Sequence, residues 1–212
     1  MRTDPDLQTL WLQTRERLAA KALLGSDAVA LALRIPGTTA LWCGGLDDER
    51  PHRLDWRDPA LPTAALAHAR LHACRADVGA SAWSAGPFGL RLADVGGVLP
   101  QVFDEQARHI GPMPAPLAAA DALASGPPQI GSALLLGGRP LCLGISAQRL
   151  ALNVELFEKC AKAYVLAAAT GGQVRELPWW VRRIANGRLR KDQARAAAAF
   201  AAGELPAEST GY

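Results

Sequence analysis

SALLLGGRPLCLGISAQRLALNVELFEKCAKAYVLAAATGG, residues 132–172, decides the reading of the fold. Two short apolar runs, SALLL and RPLCLG, flank Gly137-Gly138, the pattern of two strands joined by a tight glycine turn. Ser146 follows, a residue whose hydroxyl can accept the free amide hydrogens at a helix start. Leu150, Val154, Phe157, Cys160, Ala161, Tyr164, Val165 and Ala168 then recur at helical spacing and form one apolar face, and Gly171-Gly172 ends it. This stretch predicts a hairpin leading into a long amphipathic helix.

Upstream, Thr3 and Asp4 ahead of Pro5 resemble a helix start, with Leu7, Leu10, Trp11, Leu18 and Ala22 as its apolar face. AVALALRI, closed by Pro36-Gly37, reads as a buried strand, and TTALW as its hairpin partner. Residues 44–62 are punctuated by GG, RP, DP and LP and read as loop. Residues 63–75 read as a helix carrying His68 and His72, and VGASAW, residues 78–83, as a short strand before Gly86-Pro87. Residues 89–114 mix apolar pieces with glycine and proline and predict no regular element. APLAAADALAS suggests a helix, and ARAAAAFAAGE a terminal one. The alternation of strands and helices, with two hairpin signals, predicts an α/β/α sandwich whose central sheet is mostly antiparallel and flanked by helices.

The 212 residues, 50% hydrophobic and 20% charged, suit one packed domain. Twenty-three Lys and Arg against twenty Asp and Glu leave a net charge of +3, too small an excess to argue for nucleic acid or a membrane surface. Cys43, Cys74, Cys142 and Cys160 are far apart and form no CxxC pair, as expected of idle thiols in a reducing compartment. MRTDPDLQTLW turns charged and amphipathic where a signal peptide carries its apolar core, and no window approaches about twenty apolar residues. The expected location is the cytoplasm, without a membrane partner.

Three segments in order resemble the class II aldolase/adducin family, metal-dependent lyases of small sugar phosphates and related hydroxy acids. Residues 132–172 are similar to the family's last hairpin and its helix of the form ELxEKxAKxYxLA. ALAHARLHACRADVGASAWSAGPFGL, residues 65–90, is similar to LHLxIYxxRPDVGAVVHTHSPYA, and GSDAVALALRIPG, residues 25–37, to G(N/H)xSxRLPG. The resemblance spans roughly residues 7–180 and implies a class II aldolase-like domain over 1–180, with 181–212 as a helical tail packing on the domain or on a neighbouring subunit. It also implies a homo-oligomer, a tetramer, with clefts between subunits.

The departures from the family pattern bear on function. The histidines of the family's HTH fall at Trp83 and Ala85, with Ser84 between them. The later histidine of its NHG falls at Gly131, and its proton-handling glutamate near Ala64. The Asn and Ser that hold the substrate fall near Ala30 and Ala32, while Arg34 is in place. A catalytic zinc needs about three lone-pair donors, and Trp, Ala and Gly side chains supply none. The resemblance thus implies the fold without the metal, without a cofactor and with the catalytic residues unknown. Arg34, Trp83 and Ser84 remain as substrate-binding candidates at family cleft positions.

Other patterns carry competing readings. His68 and His72 are four apart on a predicted helix, with Cys74 beyond, and could chelate a relocated metal; the glutamate of HExxH is missing, so a structural or surface role is favoured. His52 and His109 lie in loop-like surroundings and are expected to be solvated. Arg182, Arg183, Arg188, Arg190, Lys191 and Arg195 behind Trp179-Trp180 read as a solvated tail helix, with no nucleic acid bound. No GxGxxG, Walker or GxSxG pattern occurs. Tyr212 reads as a frayed terminus or, by resemblance, as a tyrosine reaching a neighbouring site.

The sequence reading therefore ranks first a family protein that has lost the zinc triad and the catalytic glutamate: a non-catalytic small-molecule-binding or partner subunit. A carbon–carbon lyase or isomerase of a sugar phosphate or hydroxy acid, using a relocated metal or none, is the alternative; any activity would be of aldehyde-lyase or decarboxylase type. An adducin-like structural or interaction protein is the third.

Overall fold

The computed structural model describes residues 4–125 and 131–207. Helix α1 (Asp4–Ala19) is followed by strands β1 (Leu31–Arg34), β2 (Ala40–Gly44) and β3 (His52–Asp55). A 3-10 turn at Thr63–Ala65 runs into α2 (Leu66–Cys74), and β4 (Ala80–Trp83), α3 (Pro87–Leu90) and α4 (Asp104–His109) come next. After a 3-10 stretch at Ala120–Ser125, the hairpin β5 (Ala133–Leu136) and β6 (Arg139–Gly144) leads into α5 (Ala147–Ala169) and then α6 (Trp179–Ala201).

The six strands form one sheet in the order β3-β2-β1-β4-β6-β5, every pairing antiparallel. Because side chains alternate along a strand, β1, β4, β5 and β6 feed two cores at once. Leu31, Leu33, Ala80, Ala82, Ala133, Leu135 and Cys142 meet Trp11 and Leu18 of α1 and Leu150, Val154, Phe157 and Cys160 of α5. Trp83, Leu134, Leu136, Leu141 and Leu143 meet Ala67 and Leu71 of α2 on the other face, and Leu123 of the 3-10 stretch joins them. The near-continuous apolar runs of β5 and β6 follow from burial on both faces. The fold is thus a mixed α/β sandwich with an antiparallel sheet between helices.

The anchoring hairpin and helix form as the sequence predicts. Ser146 Oγ accepts the Arg149 amide at 3.1 Å and caps α5. Gly137 and Gly138 turn the hairpin with φ of +59° and +77°, a region that costs other residues a clash with the following carbonyl. Trp11 Nε1 donates to the Leu31 carbonyl at 3.1 Å and pins α1 to the sheet. Asp4 opens α1, whereas Thr3 lies outside the described residues. Ala22 lies beyond the helix in a turn with φ +53°.

Other expectations are corrected. The expected loop 44–62 contains β3, an edge strand whose His52, Arg53 and Asp55 are exposed. Its polar character hides it from an apolar pattern, yet an edge strand needs only one neighbour's backbone. The helix expected over residues 115–125 reduces to the 3-10 stretch, preceded by Leu117 bridged in parallel to Leu136. Residues 89–114, whose mixed pattern assigned no element, hold the end of α3, a 3-10 turn at Leu92–Val95, and α4. The tail helix expected around residues 182–195 and the one expected in the alanine-rich run are a single helix that begins at Trp179. α6 buries Ala185, Leu189, Ala196 and Phe200 and packs beside α4, tied by an Arg108–Asp192 ion pair of 2.6 Å. Among the described residues no helix is long and apolar enough to cross a membrane.

Phe157 is fully buried where α5 meets the sheet. Its replacement by Ala is expected to cost about 3–5 kcal/mol through lost transfer energy and a residual cavity, measured as a lower midpoint of urea unfolding at unchanged slope.

Candidate functional site

The end of β4 is the place where the resemblance puts metal chemistry. Trp83 is 8% exposed, with its indole on the α2 side of the sheet. His68 meets it edge-on, ring centroids 6.1 Å apart at 80°. The Arg139 guanidinium covers it at 4.9 Å from the ring centre, a cation–π contact. Asp27 holds that guanidinium in a fork, with contacts of 2.7 and 2.5 Å. The Arg139 hydrogen bond holds the Asp27 carboxyl below the usual carboxylate range. Ser84 donates its backbone amide to Pro140 O, while its hydroxyl is buried without a partner among the described residues.

The described side chains at this end of β4 do not fit a metal. Ligands to one ion must converge on a sphere of about 2 Å radius, so the pairing register decides which residues could meet. Trp83 pairs with Leu141, which pairs with Leu134. Gly131 lies three residues before Leu134, and Leu143 donates its amide to the neighbouring Ser132 carbonyl. Gly131 therefore belongs to the end of the sheet where β4 begins, about 10 Å along the strand from the level of Trp83. A Cβ there would clash with the Pro112 carbonyl. This corrects its assignment as a third ligand position: the segment that the register brings beside Ser84 and Ala85 is the Gly137-Gly138 turn. Neither glycine carries a donor, Ala85 carries none, and Asp27 is committed to Arg139. Among the described residues no group of three or more His, Cys, Asp and Glu could hold a metal ion. Ala64 is exposed in the 3-10 turn, and Ala30 and Ala32 are buried in separate cores.

Beneath α2, His68 and His72 meet at a residue the sequence reading passed over. Ser81 Oγ lies 2.7 Å from His68 Nδ1 and 2.9 Å from His72 Nε2, all three residues fully buried. His68 Nε2 is 3.1 Å from the Val29 carbonyl and must be its protonated nitrogen. His68 Nδ1 is then an acceptor, so the Ser81 hydroxyl donates to it and accepts from His72 Nε2–H. The nitrogens that meet Ser81 and Val29 are thereby committed, while His72 Nδ1 is buried without a partner among the described residues. Burial pushes His68 down to about 4 and His72 well below its ordinary value, where nearby Arg34 adds to the effect. The signal for Ser81 was its position in ASAW, facing the same side as Trp83 and the histidine-bearing helix.

Arg34 lies at the other end of this layer. Its Nε donates to Val78 O at 2.7 Å and its Nη2 to the carbonyls of His72 and Arg75 at 2.5 and 2.8 Å. Trp56 and Phe200 lie 5.0 and 5.3 Å from the guanidinium, and Trp56 in turn stacks on His72. Arg34 thus does not meet Trp83 and Ser84 in one cleft; the length of β4 separates them. His109, expected to be solvated, is buried at the end of α4, where Arg149 Nη1 donates to its Nδ1 at 2.7 Å. Burial, then Arg149 and Arg108, push it down to about 4. His52 is exposed as expected. Burial raises the Cys43 and Cys160 thiols to about 12, so neither is a ready thiolate. Tyr212 lies outside the described residues.

No protein-family profile matches the sequence, and no curated protein does. Solved structures do match. A YgbL protein from Klebsiella pneumoniae, a putative aldolase/epimerase/decarboxylase, superposes with a TM-score of 0.72 at 17% identity, over 87% of this chain and 99% of that one. An L-fuculose-1-phosphate aldolase from Thermus thermophilus gives 0.60 at 18%, over 81% and 98%. An aldolase II superfamily protein from Pseudomonas syringae gives 0.67 at 15%, over 97% and 98%. The fold is that of the class II aldolase superfamily.

Trp83→Ala is expected to cost about 3–5 kcal/mol, whereas Asp27→Asn, in a partly exposed pair, is expected to cost about 1 kcal/mol or less; urea unfolding of both variants checks this. Acid should also act through the imidazoles. Since folding depresses their pKa values, the unfolded chain takes up protons that the folded chain refuses. Their stability contribution is complete above about 6.5 and drains away as the pH falls toward about 4, the folded value of His68. The guanidinium midpoint should fall steadily over that window, and less steeply in His72→Gln.

Proposed function

We propose that this chain is a divergent, non-catalytic member of the class II aldolase superfamily, acting as a small-molecule-binding or partner subunit. The observation that carries the reading is the closed end of β4: the Trp83 indole under the Arg139–Asp27 pair, where the related pattern places histidines. The proposal extends to a cytoplasmic homo-oligomer, a tetramer, built from a domain over residues 1–180 with the tail of 181–212 packed on it or on a neighbour. Trp179, 69% exposed, with Trp180, Ile184 and Leu166, supports a partner-facing role. The lyase reading with a relocated metal is less well supported, because the nitrogens through which His68 and His72 meet at Ser81 are committed there.

Protein purified without chelator is expected to hold no stoichiometric zinc, manganese or iron by elemental analysis. It should also leave L-fuculose 1-phosphate, the substrate named for one structural relative, uncleaved when zinc or manganese is added. One tightly held metal per chain, lost in His68→Ala/His72→Ala, would replace this reading with the lyase. Trp83→His/Ala85→His/Gly138→His should gain zinc binding, while the same variant with Gly131→His in place of Gly138→His should not.

A further inference from the structure

A large cavity lies not at Trp83 but at the end of the sheet where β1 finishes and β4 begins. It encloses about 800 Å3, the size of a pocket for a drug-sized molecule. Leu7 and Leu10 of α1, Leu33 and Ile35 around the end of β1, Phe200 of α6 and Leu205 behind it give it apolar walls. Polar chemistry enters from two directions. Arg34 lines the cavity, is 8% exposed, and forms no ion pair among the described residues. Its Nε and Nη2 are used by backbone carbonyls, which leaves the two Nη1 hydrogens without a bond among the described residues. The first turn of α5, through Ser146, Ala147 and Gln148, forms another part of the lining. There the amides of Arg149 and Leu150 are taken by Ser146, while those of Ala147 and Gln148 form no bond among the described residues. A 23-residue helix directs the positive end of its dipole at that point.

Asp77 acts on Arg34 only at a distance and is itself paired with Arg75 at 2.6 Å; a buried cation with no directly paired carboxylate is costly, and an apolar cavity beside it suits a molecule with one anionic group and a hydrocarbon body. We infer that this cavity binds an amphipathic organic carboxylate, its head group between Arg34 and the α5 N-terminus and its chain against Leu7, Leu10 and Phe200. Glu204 at the lining is exposed and solvated, so its like charge is screened. The inference does not rest on the proposed loss of catalysis, since an active chain would carry the same cavity.

Calorimetric titration of the full chain with octanoate and phenylbutyrate, against octanol and octylamine, tests it. Saturable binding of at least one carboxylate is expected, at least tenfold tighter than either uncharged or cationic probe. Gln148→Glu places a negative charge on the lining and in the first turn of α5, where it favours the helix; it should weaken carboxylate binding at least tenfold without lowering the thermal midpoint. Leu205→Trp, at a partly exposed position, should block all the probes by filling the cavity. Absence of saturable carboxylate binding at millimolar concentration would overturn the inference. Octanol binding as tightly as octanoate would overturn it as well, and so would octanoate binding unchanged in both variants.

Discussion

Helix α2 is laid on its sheet through a polar seam, and that seam constrains much of the rest. A buried hydroxyl or imidazole without a partner costs about 1–3 kcal/mol. The Ser81 hydroxyl avoids that cost only if His68 and His72 approach from one side in a single tautomeric arrangement. Helix and strand are thereby locked in register, since a one-residue slip of β4 would turn Ser81 to the opposite core. From this seam a line of packed rings and charges runs both ways: His68 to Trp83, Arg139 and Asp27, and His72 to Trp56, Arg34 and Phe200.

The legible parts of the sequence were those in which one physical demand set the pattern. Residues 132–172 declare their hairpin and helix because burial on both sheet faces demands unbroken apolar runs, and a long helix on one face demands a 3.6-residue repeat. Strand β3 was hidden because HRLD is polar apart from Leu54 and is held by backbone bonds to β2. α6 was legible as a tail helix from Arg182 onward, although Trp179, Trp180 and Ile184 are exposed and its first turns lack the apolar stripe of a docked helix. His109 was misjudged because its surroundings include Arg149 of the distant helix α5, a contact no local pattern contains.

The candidate site was legible to a different degree. A motif comparison names which residue types are missing, and on that basis Trp83 was recognised. It cannot say which glycines come near it, because ASAW and SALLLGGRPLCLG fix no distance until their strands pair. Once Trp83 is set against Leu141 and Leu134, the hairpin turn is near and Gly131 is far. Ser81 was passed over for a related reason: a serine in a strand carries no signal until the helix above it is known to carry two imidazoles.

The two ends of the seam have opposite chemical characters, and their difference follows from what each terminal arginine is paired with. At the Trp83 end, Arg139 finds a carboxylate in Asp27, so charge is balanced across the indole and little remains to attract a polar ligand. At the Arg34 end, the partners are carbonyls and aromatic rings, which orient the guanidinium, while Asp77, the carboxylate that acts on it, is paired directly with Arg75 at 2.6 Å. Burial lowers its pKa only to about 10, so it remains a cation near neutral pH. The carbonyls come from His72, Arg75 and Val78, so the turn joining α2 to β4 is itself folded around that cation. Removing the charge would strand three acceptors as well as empty the seam. A position constrained in this way keeps its cation for structural reasons alone, and the adjoining cavity inherits a positive field that favours an anion.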